Sequence, residues 1–322
     1  MEGRAVLALG VVLACCPCAS ALNPALDVSQ YAHTGWKFRD GFAKGEIRDI
    51  VQTSDGYLWL ASDFGLFRFD GVQAVLWQPP AGQHLPSTQI WRLLAAHDGT
   101  LWIGTWAGLA SWKNGKLTQY PELDGLTILS LLEDHAGSVW AGAGGFPNGK
   151  LCEIQRSGVR CASNIGLGVQ GLHEDAKGNL WVGSLKGIWR WKPGPLKFYP
   201  VPDVPNGIQS MVDGEDATLL IPMAGGVGRL VDGKAQMAYP FPAPLRGFEA
   251  RRILRDRDGG LWTTLGTGIV HFHQGRTDVF SQADGLTGEG AQPLFEDQEG
   301  DIWVTTLGGI DRFRELPGNI TD

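Results

Sequence analysis

Three adjacent carboxylate pairs, Glu133-Asp134, Glu174-Asp175 and Glu296-Asp297, have the composition of a general acid–base dyad. They recur at one position of a repeated stretch, however, and so read as turn chemistry. His271 and His273 alternate on one strand and could face the same side as metal ligands. With no third ligand at suitable spacing, a structural or solvent-facing role is the reading. Arg251, Arg252, Arg255 and Arg257 form the dense basic run of the chain, interleaved with Asp256 and Asp258, and read as a partly paired surface, the alternative being that its inner-strand side chains line the central channel. No phosphate loop, zinc spacing or nucleophile elbow is present. No catalytic residue, metal or cofactor is therefore expected, although an enzyme that gathers its site from scattered loops would leave no such motif.

The elements that must position these groups are visible as a repeat. The stretch Asp98-Gly-Thr-Leu-Trp-Ile-Gly-Thr-Trp-Ala-Gly-Leu-Ala-Ser-Trp112 returns upstream as Asp55-Gly-Tyr-Leu-Trp-Leu-Ala-Ser-Asp-Phe-Gly-Leu-Phe-Arg-Phe69 and downstream at Gly178, Gly260 and Gly300, with a looser copy from Gly137. A Gly-containing turn, a short apolar run around a Trp, a second Gly-rich turn and an alternating strand ending in an aromatic make a β-hairpin. Acidic residues ahead of the first turn (Asp55, Asp98, Asp134, Asp175, Asp297) are placed to accept hydrogen bonds from its backbone N–H groups. The marker residues Trp59, Trp102, Trp140, Trp181, Trp262 and Trp303 are separated by 43, 38, 41, 81 and 41 residues. The long gap hides a seventh copy, Asp213 to Leu230, with Leu220 where Trp is expected. A Trp on the second strand beside small residues suits packing between adjacent units better than a stacking platform.

Each period holds about four short strands, and no stretch has a helical period with caps. In repeat two these are 90–95, 101–104, 109–113 and 117–120. The fold expected is all-β, a seven-bladed β-propeller of four-stranded antiparallel blades. Residues from Gly35 line up with the outer strand and Asp-Gly loop of later repeats, whereas the last copy near Phe313 lacks that strand. An N-terminal strand that completes the last blade closes the ring and removes its open edges.

Composition agrees. The 46 glycines and 13 tryptophans are many for 322 residues, and charged residues make up only 19%. A net charge of −7 argues against nucleic acid or an anionic membrane as partner. Residues 1–21 read as a signal peptide, with an apolar run after Arg4 and a cleavage pattern at Ala19-Ser-Ala21. Val12-Leu-Ala-Cys15 is an imperfect lipobox and offers a lipoprotein alternative. Cleavage after Ala21 leaves Cys152 and Cys161, either side of a turn at Arg156-Ser-Gly158. They read as a cross-strand disulfide of an oxidising compartment, or as two buried thiols. The expected organisation is a signal peptide at 1–21, an extended lead-in at 22–34, the propeller at 35–316 and a tail at 317–322.

The recurring Asp-Gly-x-Leu-Trp-x-Gly-Thr-x-x-Gly-Leu-x-x-Phe pattern, with Asp-Gly-Leu between outer and inner strands, resembles the two-component regulator propeller repeat across about residues 35–314. In that family the propellers are extracytoplasmic sensor modules, often two in tandem, ahead of an Ig-like domain, a membrane helix and a histidine kinase or cyclase output. The resemblance implies a periplasmic or secreted location, a non-enzymatic sensing role and a partner of those kinds. This sequence shows seven repeats with no membrane span or output domain, either as a fragment or as a free-standing binding module.

A site is then expected where the repeat is broken, on the face where the loops joining second to third strands and those joining blades open around the central channel. The candidate ligand-binding residues are Phe64, Trp91, Trp106, Phe146, Lys186, Arg251 and Glu289, with Lys44, Gln89, Gln209 and Met223 beside them. Exposed rings next to Lys, Arg and Gln suit an oligosaccharide or other polar small molecule. The competing readings are a glycan-acting propeller lyase or hydrolase and a scaffold that docks another propeller.

Overall fold

A computed structural model describes residues 22–315 apart from 24, 145–148, 164–167 and 203, so the signal-peptide and tail readings and Phe146 lie outside the described residues. The strands form seven four-stranded antiparallel sheets, six of them in chain order from the channel outward. Blades 1 to 6 occupy 47–76, 90–119, 127–163, 171–200, 212–240 and 253–281. Blade 7 takes three strands from 294–314 and its outer strand from Ala32–Lys37, which pairs antiparallel with Gly309–Arg314. The ring is a seven-bladed propeller closed by its N-terminal strand. In repeat two the strands run Ile90–Ala95, Leu101–Thr105, Gly108–Lys113 and Lys116–Gln119, within a residue of the positions read from sequence.

The closing strand begins at Ala32, three residues ahead of the expected Gly35. The segment before it is also not simply extended. It contains a 3-10 turn at Val28–Gln30 capped by Asp27, and it buries Leu22, Val28 and Tyr31 in the seam between blades 6 and 7. Apolar side chains spaced along a lead-in are what dock it, because leaving them in water costs more than ordering the chain.

Seven buried clusters fill the seven seams, and a marker residue stands in each. Trp59 packs with Ile90, Leu93 and Ile103 of the next blade. Trp262 packs with Ile302, Val304 and Phe313, and Leu220 takes the same place against Ile253, Leu261 and Val270. All six marker tryptophans are 7% exposed or less, so they are core and no platform for a ligand.

The turn ahead of each marker is built identically seven times. The residue six before the marker receives the carbonyl of the residue four on at its own N–H, and its carbonyl accepts from the residue three on; Asp134 with Ser138 and Gly137 is one instance. The residue at the third position has positive φ in all seven copies, as Gly in six and as Ala217 in blade 5. The acidic residues ahead of these turns fall at two frame positions, where sequence reading merged them into one. Asp134, Asp175, Asp256 and Asp297 stand six before the marker, bind two turn N–H groups with one oxygen, and take the indole Nε1 at 2.7–2.8 Å with the other. Asp55 and Asp98 stand four before it. In blade 1 Thr53 Oγ1 takes over the indole at 2.9 Å. In blade 2 the position is Ala96, and the buried Trp102 Nε1 has no partner. Ala96→Asp is therefore expected to stabilise the protein by about 1 kcal/mol, the usual net value of a restored buried hydrogen bond. Chemical denaturation checks it, and an unchanged or lower midpoint would contradict the role assigned to the carboxylate.

The carboxylate neighbouring that aspartate is a latch between blades. Glu133, Glu174, Asp213 and Glu296, each seven before its marker, accept the backbone N–H of the previous blade's turn, from His97, His135, Ala176 and Arg257. Gln52 does the same for Gln298 across the closing seam. The Glu-Asp pairs thus divide into one latch and one indole acceptor. Cys152 and Cys161 are cross-strand partners in blade 3 and form a disulfide.

Candidate functional site

The face carrying the loops between second and third strands is shaped by a second recurring device. Ser62, Thr105 and Ser184 are buried, and their hydroxyls donate to the carbonyls of Gly65, Gly108 and Gly187 and pin each loop. What projects from the pinned loop is exposed: Phe64 and Trp106 are both 51% exposed, and Leu185 and Leu307 stand at the place of Trp106, four after the marker.

Among the residues expected to bind, those of blades 1 and 2 come together. Asp63 holds Arg48 through two hydrogen bonds of 2.7 and 3.1 Å. The Arg48 guanidinium lies 4.4 Å over the Trp91 ring, and Trp91 in turn contacts Trp106 with ring centroids 5.4 Å apart. Beside Asp63, Phe64 carries Lys44 Nζ 4.6 Å over its face. The others are dispersed. Lys186 lines a groove of about 620 Å³ between blades 4 and 5 with Leu185, Val201, Val204, Ala224 and Glu249. Glu289 is exposed and contributes its backbone carbonyl to Leu307 N–H. Arg251 points toward Gly266 rather than into the channel.

The channel arginine is its neighbour. A cavity of about 180 Å³ at the channel mouth is lined from all seven blades: Arg48, Trp91, Leu129, Gln170, Gln209 and Gln292 at one level, with Arg92, Arg252 and Glu46. In blades 1 to 3 the register with the second strand slips at Arg48, Trp91 and Leu129, one bulge at the same place in each. A bulge re-aims side chains and bends its strand, and here the three bulged residues all face the mouth. The later blades have first strands that begin beyond this point.

Ten before each marker stand Asp49, Arg92, Ser130, Gly171, Ser210, Arg252 and Pro293, and of these Arg92 and Arg252 line the cavity and form its throat. Arg92 is spent on carbonyls, Nε to Leu129 O at 2.7 Å and Nη1 to Trp91 O at 2.6 Å. Arg252 Nη1 donates to Gln209 O at 2.9 Å, and its buried Nε has no partner. Asp49 accepts the N–H groups of Ile50 and Leu93. Burial raises the Asp49 carboxyl against the pull of Arg92 and lowers Arg92 against the pull of Asp49. Burial, and then Arg92, push the Arg252 guanidinium down to about 9, with Asp49 opposing. Two buried cations thus share one carboxylate that is already hydrogen-bonded elsewhere.

The histidine pair has a third group that spacing did not reveal. Asp278 is the cross-strand partner of His271, and with His273 the three could-be ligand atoms lie within 4.8 Å of one another. The rings nevertheless stack at 4.2 Å and 11°, with Trp262 3.8 Å from His271 on the other side. Nitrogen lone pairs lie in the ring plane, so parallel rings at this separation do not converge on one ion at a bond length of about 2.0–2.1 Å. The pair is buried structural packing, not solvent-facing, and burial lowers the His271 pKa. Arg255 and Arg257 pair across the seams with Glu215 and Glu296 at 2.8 and 2.6 Å, rather than with the interleaved aspartates.

Residues 84–107 match the family model described as "Two component regulator propeller". Over that stretch the chain is similar to the repeat of that family. Comparison with curated proteins gives no match. Among solved structures, the extracellular domain of the hybrid two component system BT3049 from B. thetaiotaomicron is similar with a TM-score of 0.73 at 16% identity, over 89% of this chain and 42% of that one. That of BT4673 from the same organism gives 0.70 at 19%, over 89% and 40%. The chain therefore spans about two-fifths of those chains. Virginiamycin B lyase from Staphylococcus aureus is similar at 0.68 and 15%, over 89% of this chain and 100% of that one. At these identities the likeness is one of fold. Among the described residues no helix is long and apolar enough to cross a membrane.

Proposed function

We propose that this propeller is an extracytoplasmic ligand-recognition module of a two-component-type signalling system, binding a small polar molecule on its loop face without converting it. The observation that carries the reading is the convergence of all seven blades on one polar cavity at the channel mouth, flanked by the Arg48–Trp91–Trp106 stack. Rings give area and the rim amides give directional hydrogen bonds, which is how polar ligands are held. The disulfide suits an oxidising compartment, and the likeness to extracellular domains of hybrid two component systems supports the same location. Against turnover stands the make-up of the cavity, which offers arginines, glutamines, Trp91 and Glu46 but no histidine, cysteine or serine. In a longer protein, a bound ligand would shift how the propeller packs on an Ig-like domain, a second propeller or a kinase or cyclase partner.

Phe64→Ala with Trp106→Ala is expected to weaken ligand binding by at least about tenfold in titration calorimetry. Both rings are half exposed, and surface changes of this kind stay within about 0.5 kcal/mol in stability. The melting temperature should move by no more than about 2 °C. A large loss of stability would show the rings to be structural, and unchanged binding would place the site elsewhere.

A further inference from the structure

The channel throat holds two buried guanidiniums with little direct counter-charge. Arg92 and Arg252 line the same cavity, and among the described residues neither has a carboxylate in ion-pair contact. Asp49, the nearby acid, places both oxygens on backbone N–H groups. Above them the buried donors Arg252 Nε and Trp91 Nε1 have no partner, and each such buried donor left unmade costs on the order of 1–3 kcal/mol. Arg48, by contrast, is already neutralised by Asp63. Gln170, Gln209 and Gln292 ring the mouth with amides that both donate and accept. The cavity of about 180 Å³ equals the share of roughly six waters at about 30 Å³ each. We propose that the channel mouth binds a small organic monoanion, a carboxylate carried on a hydroxylated chain or ring, with the carboxylate on Arg252 and Arg92 and the hydroxyls on the glutamine amides. This rests on the ligand-recognition reading and gives it a chemical class. A carboxylate suits the throat because its two oxygens match the fork of a guanidinium, and Glu46, the carboxylate that lines this cavity, is drawn to Arg48 at 3.8 Å.

The test is calorimetric titration of the purified chain, in a buffer free of carboxylates and phosphate, with gluconate, lactate, inorganic phosphate and neutral glucose. Gluconate is expected to bind, glucose at least tenfold more weakly or not at all, and phosphate more weakly than gluconate. Arg252→Gln removes the charge while keeping an amide, and should cut gluconate affinity by at least tenfold. The melting temperature of this variant without ligand should be equal or higher, because a buried like-charge contact is gone. Gluconate bound no better than glucose, equal affinity in Arg252→Gln, or phosphate preferred over both acids would each overturn the proposal. A neutral sugar whose binding is lost in Trp106→Ala but not in Arg252→Gln would overturn the anion site and leave the recognition reading standing.

Discussion

Deletion of residues 22–37 leaves a chain that does not close. The deletion removes the outer strand of blade 7, with six register pairs from Ala32↔Arg314 to Lys37↔Gly309. It also removes Leu22, Val28 and Tyr31, all 4% exposed or less, and Trp36, whose ring stacks on Trp303 at 5.4 Å. Burying side chains of this size contributes about 1.5–3 kcal/mol each, so the segment is worth roughly 5–10 kcal/mol. That equals much of the whole stability of a typical domain, about 5–15 kcal/mol. Gly309–Arg314 becomes a bare edge open to pairing with other chains. The expected result in thermal unfolding is a loss of the cooperative transition with aggregation, and recovery of solubility when a peptide of residues 22–37 is supplied in trans. A deletion variant melting with the full chain would disprove closure by this strand.

Trp303→Ala is expected to cost about 3–5 kcal/mol, the range for emptying a large aromatic from a packed core. Trp303 is 2% exposed. It packs edge-on to Phe69 of blade 1 at 5.8 Å, across the seam where the ring closes, and stacks on Trp36 of its own blade's outer strand. Its Nε1 donates to Asp297 at 2.7 Å, a carboxyl whose pKa burial has already raised. Trp303→Phe keeps the ring but strands that carboxylate's oxygen, and should cost about 1–3 kcal/mol. Leu220 in blade 5 shows that the seam accepts an apolar residue when the turn has Gly214 and no aspartate to satisfy. Denaturant unfolding of the three proteins separates these values. A loss below about 1 kcal/mol for Trp303→Ala would return the marker rings to the surface.

The blades were legible because six of the seven repeats write their own boundaries with a positive-φ glycine and a Trp at a fixed offset, and the seventh, with Ala217 and Leu220, falls in the gap they leave. Ring closure was legible too, since the first copy of the outer strand has no blade of its own. The phase of the inner strand was not. Side chains alternate with period two, so a one-residue question decides whether Arg251 or Arg252 enters the channel. Bulges at Arg48, Trp91 and Leu129 shift that phase in three blades and not in the others. Counting ten back from each marker would have found Asp49, Arg92 and Arg252. Asp278 as neighbour of His271 required the pairing of third and outer strands, which spacing along one strand does not contain. The Glu-Asp pairs were placed correctly in turns, but the seam latch depends on a contact between residues 39 apart, and the indole acceptor, six residues from its Trp, on the side-chain geometry of the turn.

Recognition without turnover is tested most directly by a thermal-shift screen of the purified chain against oligosaccharides, sugar acids and other small polar metabolites, with each stabilising compound recovered and analysed after incubation. The account predicts a compound that raises the melting temperature, is returned chemically unchanged, and loses its effect in Phe64→Ala with Trp106→Ala. A compound consumed on incubation would make the loop face an active site, and a panel with no stabilising member would contradict a binding site there.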